Sequence, residues 1–157
     1  MTLDKAYQAL IADRIYFGGA KDVPAMVEND QIQVVVDLRE ESQACESSDP
    51  SVVWIKIPLG DNATEPEDKL FAQAIQAVIS AYNQKKKVAF HCGGGKGRTG
   101  TVAVGVLLEL GICKTIDEAE AMAKSIRPVI NVKPDQRASL VKLYEANRWQ
   151  LEGVPLA

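Results

Sequence analysis

The chain has 157 residues, 46% of them apolar and 25% charged, with a net charge of −3 at neutral pH, a globular composition with room for one domain and a core of its own. No basic stretch leads into an apolar segment at the start, the longest apolar run (102–108) is far too short to span a bilayer, and the mild acidity offers no general nucleic-acid footprint. Cys45, Cys92 and Cys113 are odd in number and widely spaced, and a single histidine with no CxxC pair gives zinc little to bind, so a reducing, cytoplasmic setting without a disulfide framework or a metal is expected.

Short β-branched runs alternate with longer helical patterns, which predicts a single α/β or α+β domain over 1–157. Residues 15–17 read as an edge strand, and IQVVVDL (32–38) and SVVWIKI (51–57) as buried strands. Thr64 with Glu67 three residues later makes a capping-box pattern, and the apolar spacing beyond it predicts a helix over 65–84. KKVAF (86–90) is a further strand, leading straight into HCGGGKGRTG (91–100). RTGTVAVGVLLEL then reads as a helix apolar nearly all round, hence central, and closed by Gly111. Thr115 and Glu118 repeat the capping box before a helix ending near residue 126, where Arg127-Pro128 stops it. Pro134 opens a last helix through residue 149.

The glycine loop therefore lies between a buried strand and the N-terminus of a buried helix. Unpaired amides and a partial positive charge favour anions there. Glycines let the backbone curl into a nest for phosphate oxygens, and Arg98 adds a fork of donors. The same field stabilises a thiolate at Cys92. Two nucleotide-binding patterns fit poorly. The Walker pattern fails because Gly97 follows Lys96, where a serine or threonine is needed. GxGxxG does occur, as Gly95, Gly97 and Gly100, but a helix follows where the dinucleotide fold wants a second parallel strand ending in an acid. A flexible turn would leave the meeting of Cys92, Lys96 and Arg98 unexplained.

His91-Cys92, five residues, then Arg98-Thr99 resembles the HCx5R[ST] signature of cysteine-dependent protein tyrosine and dual-specificity phosphatases. IYFGGA (15–20), VVVDLREE (34–41) and IKIPLGDN (55–62) are similar to their early strand, central strand with its turn, and acid loop. The resemblance implies a compact α/β fold with a central mixed sheet flanked by helices. It also implies a two-step reaction through a phosphocysteine, needing no cofactor. In that reaction Cys92 is the nucleophile, and Arg98 with the amides of Gly93, Gly94, Gly95, Lys96 and Gly97 holds the phosphate oxygens. Thr99 steadies Cys92 as it leaves, and His91 orders the loop. Asp61 serves as general acid and then base. Asp37, Asp49 and Asp68 read instead as a strand end, a polar loop and a helix surface. Gln136 resembles a glutamine that places the attacking water.

A phosphorylated protein or peptide is the implied substrate. The short chain implies a pocket shallow enough for phosphoserine and phosphothreonine as well as phosphotyrosine. Lys96 in KGRTG resembles the loop of phosphoinositide phosphatases, which carry a second lysine where this chain has Gly93; it reads here as a rim lysine. Phosphoinositide or inositol phosphate hydrolysis, and a phosphate-binding module without turnover, stay open. Rhodanese-like sulfur transfer fits the Arg98-Thr99-Gly100 continuation less well. A monomer is expected, with Cys45 an exposed bystander or the partner of an oxidised Cys92, and Cys113 packed against the core.

Overall fold

The computed structural model describes residues 6–60 and 67–145. Its strands are β1 (Gln8–Ile11), β2 (Ile15–Gly19), β3 (Val34–Asp37), β4 (Val53–Lys56) and β5 (Val88–Cys92), joined in one sheet in the order β1-β2-β5-β3-β4. β1 and β2 run antiparallel and the other three pairings are parallel. The sheet is mixed, as expected. Central β5 has every residue buried, which is why VAFHC reads as a nearly continuous apolar run and not as an alternation.

Side-chain alternation along the strands divides the interior in two. Ile15, Phe17, Val34, Val36 and Phe90 point into the larger core, shared with α2 (Asp68–Asn83), α3 (Gly97–Glu109), α4 (Ile116–Ile126) and α5 (Pro134–Leu140). Tyr16, Val35 and Ala89 point the other way, under Val23 and Met26 of α1 (Val23–Asp30). The helix after the glycine loop is as central as its composition suggests. Residues 97–107 of α3 are all buried.

Three expectations need correction, and one element lies where none was expected. Residues 15–17 do not form an edge, because β1 lies outside β2 and leaves it wholly buried. The hairpin between them turns at Asp13 in a left-handed conformation (φ 65°), which aspartate tolerates but does not advertise as a glycine would. SVVWIKI is not a buried strand; β4 is the outer strand, and Val53 is exposed. Helix α1 was not foreseen, being eight residues long with a proline in its first turn. Finally, Glu67 stays outside α2. Its carboxylate accepts the Gly60 N–H (3.0 Å) and its own N–H donates to Ser139 Oγ (3.1 Å); Thr64 lies outside the described residues.

The remaining helices follow their punctuation. Thr115 Oγ1 accepts the Glu118 N–H (3.1 Å) and Glu118 Oε1 accepts the Thr115 N–H (3.2 Å), closing the box at the start of α4. Gly111 takes a φ of 72° just past the end of α3. α5 passes at Val141–Glu145 into a wider π-helical turn, and residues 146–149 of the expected helix lie outside the described ones.

Register brings the C-terminal ends of three parallel strands together, with Gly19 beside Cys92 and Asp37 beside His91. Open α/β sheets bind ligands beyond such ends. α3 springs from this point and is set in place by α2, which crosses it at Gly105. A Cβ there would collide with the buried Ile75 side chain. Gly105→Val is expected to lower stability by about 1–3 kcal/mol, through overpacking, seen as a lower urea midpoint at unchanged slope. An unchanged midpoint would mean that α2 can move aside freely.

Candidate active site

Loop residues 93–96 join β5 to α3, and their shape is set by what their carbonyls bond. Gly93 O accepts the Ala20 N–H (2.9 Å), and Lys96 O accepts the Asn131 N–H (3.1 Å). The Arg127 guanidinium donates to Gly95 O (2.8 Å) and Gly94 O (3.2 Å), and Thr101 Oγ1 donates to Gly97 O (2.7 Å). Each peptide is planar and trans, so an outward carbonyl turns the following N–H inward. The amides of residues 94–98 thus face the loop interior, the nest that suits an oxyanion. Gly95 must be glycine: its φ is 72°, and a Cβ would lie 2.5 Å from Arg127 Nη2 and 2.6 Å from the Gly18 carbonyl carbon.

Cys92 ends β5 and is buried, with Thr99 Oγ1 3.0 Å from its Sγ. The same hydroxyl lies 3.3 Å from Gly18 O. It has one proton to give, so it bonds a charged sulfur or, when the sulfur is neutral, can turn to the carbonyl. Arg98, in the first turn of α3, is also buried. Its Nη1 donates to Leu59 O (2.9 Å), and its two terminal nitrogens meet the two oxygens of Glu41 (2.9 and 3.0 Å). The Arg98 hydrogen bonds hold the Glu41 carboxyl below its usual range. Glu41 is 57% exposed, against 3% for Arg98. An ion pair with so wet a partner is worth about 0–1 kcal/mol, so an arriving phosphate dianion can displace it.

A cavity of about 350 Å³ opens here, lined by Cys92, Gly93, Gly94, Lys96, Gly97 and Arg98 with Glu41, Asn131 and Lys133. Of the loop residues singled out in the sequence, Cys92, Gly93, Gly94, Lys96, Gly97 and Arg98 share this concavity, while His91, Gly95 and Thr99 support it from outside. Beneath it lies a polar network. Asp37 accepts two hydrogen bonds from the Arg39 guanidinium (both 2.9 Å) and one from Trp54 Nε1 (3.0 Å). Burial alone would raise the Asp37 carboxyl; the bonds from Arg39, the nearby His91 and Trp54 outweigh it and hold it low. His91 is fully buried, with Nδ1 3.0 Å from Cys92 O, so that nitrogen carries the proton. Its Nε2 lies 3.8 Å from Asp37 Oδ1, too far for a hydrogen bond, and has no such partner among the described residues.

Two expected residues stand apart. Asp61 lies outside the described residues, although Leu59 just before it bonds Arg98 and Gly60 bonds Glu67. Gln136 is buried behind the loop, not in the cavity. Its Oε1 accepts the Lys133 N–H (2.9 Å), and both ends of its amide lie 3.0 Å from where a Gly97 Cβ would be. Its Nε2 has no hydrogen-bond partner among the described residues. Cys45 is half-buried against the smaller core and Cys113 packs beside Met122; both are free thiols.

Sequence reasoning missed Arg127, Glu41, Arg39 and Trp54. Arg127 read only as the residue before a helix-stopping proline. Glu41 and Arg39 were legible in DLREE, as charges clustered at a strand end.

Residues 15–146 match the family model "Dual specificity phosphatase, catalytic domain". "Putative tyrosine phosphatase 067L" of Invertebrate iridescent virus 3 is 28% identical over 149 residues, covering 90% of this chain and 54% of that protein. The chain thus spans about half the length of this curated relative. Among solved structures, a "mouse putative dual specificity phosphatase complexed with zinc tungstate" superposes with a TM-score of 0.82 at 18% identity, covering 96% of this chain and 94% of that one. Human DUSP28 gives 0.79 at 18% identity, covering 93% of this chain and 97% of that one. At these identities the structural likeness speaks for the fold.

Burial holds His91, the chain's only histidine, below its usual value of 6.5. The unfolded chain takes up a proton near that pH and the folded chain resists it. Stability is therefore fully present above about pH 6.5 and is lost as the pH falls toward the lower folded value, by up to about 1.4 kcal/mol per unit. Urea midpoints at pH 7, 6 and 5 should fall for the wild type and flatten in His91→Gln. An equally steep fall in both would assign the effect to carboxylates.

Proposed function

The chain belongs to the dual specificity phosphatase catalytic-domain family, and on that premise we propose that it hydrolyses phosphomonoesters on proteins through a phosphocysteine intermediate. The observation that carries this reading is the meeting of the Cys92 sulfur, the inward-facing amides and the Arg98 guanidinium in one cavity. A binding module needs the amides and the arginine, but it has no use for a thiol in line with them.

In the first step the Cys92 thiolate attacks phosphorus and the bond to the leaving oxygen breaks. The three equatorial oxygens rest on Arg98 and the loop amides, with Glu41 displaced from the guanidinium. The leaving oxygen of a serine or tyrosine side chain needs a proton, which we assign to Asp61. Arg98 already bonds Leu59 O, two residues ahead of that position, so the arginine assigned to the phosphate is tied to the chain that leads to the acid. In the second step Asp61 takes a proton from water, the oxygen of that water attacks phosphorus, and the sulfur leaves as thiolate. Thr99 Oγ1, 3.0 Å from Sγ, donates to it. Gln136 is the residue assigned to placing that water, a role that requires its Nε2, buried beside Gly97, to turn toward the cavity. His91 moves no proton; it holds the Cys92 carbonyl and so the start of the loop.

Phosphotyrosine is the expected substrate, with phosphoserine and phosphothreonine admitted. A phosphoinositide or inositol phosphate is the second reading, favoured by two lysines, Lys96 and Lys133, on one cavity.

Hydrolysis of p-nitrophenyl phosphate with chelator present is expected, and Cys92→Ser should abolish it; activity kept in that variant would remove Cys92 from the nucleophile's role. Asp61→Asn should lower kcat by about 10²–10⁴ on alkyl phosphates and far less on activated aryl phosphates, whose leaving groups need little protonation. Equal losses on both would point to another acid.

A further inference from the structure

His91 is the chain's only histidine, and it is fully buried beside an acid that does not bond it. Its Nδ1–H is given to Cys92 O, so Nε2 presents a lone pair, with Asp37 Oδ1 3.8 Å away. A shared proton would draw these two atoms to about 2.7–2.9 Å. The longer spacing is what two acceptors facing each other require. Leaving a buried acceptor without a donor is costly, and a carboxylate this close ordinarily favours the proton that would satisfy it.

The reason it does not lies on the far side of the carboxylate. An ionised aspartate has roughly four acceptor positions, two on each oxygen. At Asp37, Oδ1 accepts the Arg39 backbone N–H (3.2 Å) and Arg39 Nε (2.9 Å), and Oδ2 accepts Arg39 Nη2 (2.9 Å) and Trp54 Nε1 (3.0 Å). All are filled. The guanidinium also cancels the charge of Asp37, and Glu46 accepts a further bond from its Nη2 (3.0 Å). Sheet register builds the arrangement. Asp37 pairs with His91 across β3 and β5, and Trp54 on β4 stands beside Val35, two residues from Asp37 and on the same side of β3.

No other acid among the described residues takes the place of Asp37. β2 sets Gly18 beside His91, and the next acid along that chain, Asp22, is bonded to the Gly19 N–H (2.8 Å). Glu46 is committed to Arg39, and Cys92 meets the ring through its carbonyl.

We propose that Arg39 and Trp54 are positioning residues of the Cys92 loop: by filling the acceptor sites of Asp37 they leave His91 no carboxylate to share a proton with, and so keep the imidazole neutral with its one N–H on the Cys92 carbonyl. Only the consequence for Cys92 rests on the phosphatase reading above. A neutral ring leaves the thiolate to the loop amides, Arg98 and Thr99. An imidazolium one residue away would stabilise the thiolate further and make it a poorer nucleophile, since nucleophilicity falls with thiol pKa.

A single histidine makes the test direct. In nitrogen-labelled wild type the imidazole signals should report a neutral ring with its proton on Nδ1 at pH 7 and a titration midpoint below the ordinary 6.5. Arg39→Met should carry that midpoint above 6.5, Trp54→Phe should raise it by less, and adding Asp37→Asn to either should bring it back down. Iodoacetamide alkylation of Cys92 should follow one ionisation in wild type and two in Arg39→Met, because ring and thiol then titrate as a pair. A wild-type ring protonated on Nε2, or titrating above 6.5, would overturn the proposal whatever the variants do. So would a folded Arg39→Met with an unmoved midpoint, or a rise that Asp37→Asn fails to reverse. If circular dichroism shows Arg39→Met unfolded, Trp54→Phe decides: a rise reversed by Asp37→Asn supports the role and an unmoved midpoint removes it. The phosphatase reading fails separately, if p-nitrophenyl phosphate is left intact by a wild type whose ring titrates as described.

Discussion

The carbonyls of Gly93, Gly94, Gly95, Lys96 and Gly97 all accept hydrogen bonds from groups outside their own turn, and much of the surrounding structure is arranged to supply those donors. Ala20 follows β2, Arg127 and Asn131 follow α4, and Thr101 is one turn into α3. Turning the carbonyls out is what turns the amides in. Glycine here costs roughly 0.5–1 kcal/mol of backbone entropy per residue. A hydrogen bond from a charged donor such as Arg127 contributes about 1.5–3 kcal/mol, and leaving a buried carbonyl unpaired costs about 1–3 kcal/mol. The outward bonds outweigh the glycines, so the loop holds an anion-binding shape without an anion to template it.

Two carboxylate–guanidinium pairs flank the loop, and their burial separates their roles. Asp37 and Arg39 are both buried, and Trp54 adds a third bond. Breaking such a pair leaves an uncompensated buried charge, a loss of about 3–5 kcal/mol, so it serves as a fixed floor under His91. Glu41 and Arg98 are also joined by two hydrogen bonds, through Nη1 and Nη2, but one partner is in water. That pair holds the guanidinium in its working orientation and is weak enough to yield. Both pairs are bidentate; exposure to solvent is what makes one of them yield.

Much of the fold was legible. β5, the loop, α3 and α4 were expected where they occur, because a continuous apolar strand, a helix apolar all round, a capping box and a glycine past a helix end are signals within a few residues of what they specify. β1 and α1 gave no such signal, since a left-handed aspartate and a short proline-led helix look like loop. Glu67 was misread because its carboxylate caps Gly60, seven residues back, and not its own helix.

The amino-acid order by itself determined the chemistry on offer: a thiol, an arginine and glycines at the spacing that lets one turn of backbone surround an anion. Tertiary structure decided the rest. Arg127 reaches Gly94 and Gly95 from more than thirty residues away, Thr99 shares its proton with a carbonyl on β2, and Glu41 meets Arg98 across 57 residues. Only packing could reveal that Arg39 and Trp54 together fill the acceptor sites of Asp37 beside His91. Local spacing fixes backbone conformation, whereas which donor meets which carbonyl depends on segments brought together by burial of a common core.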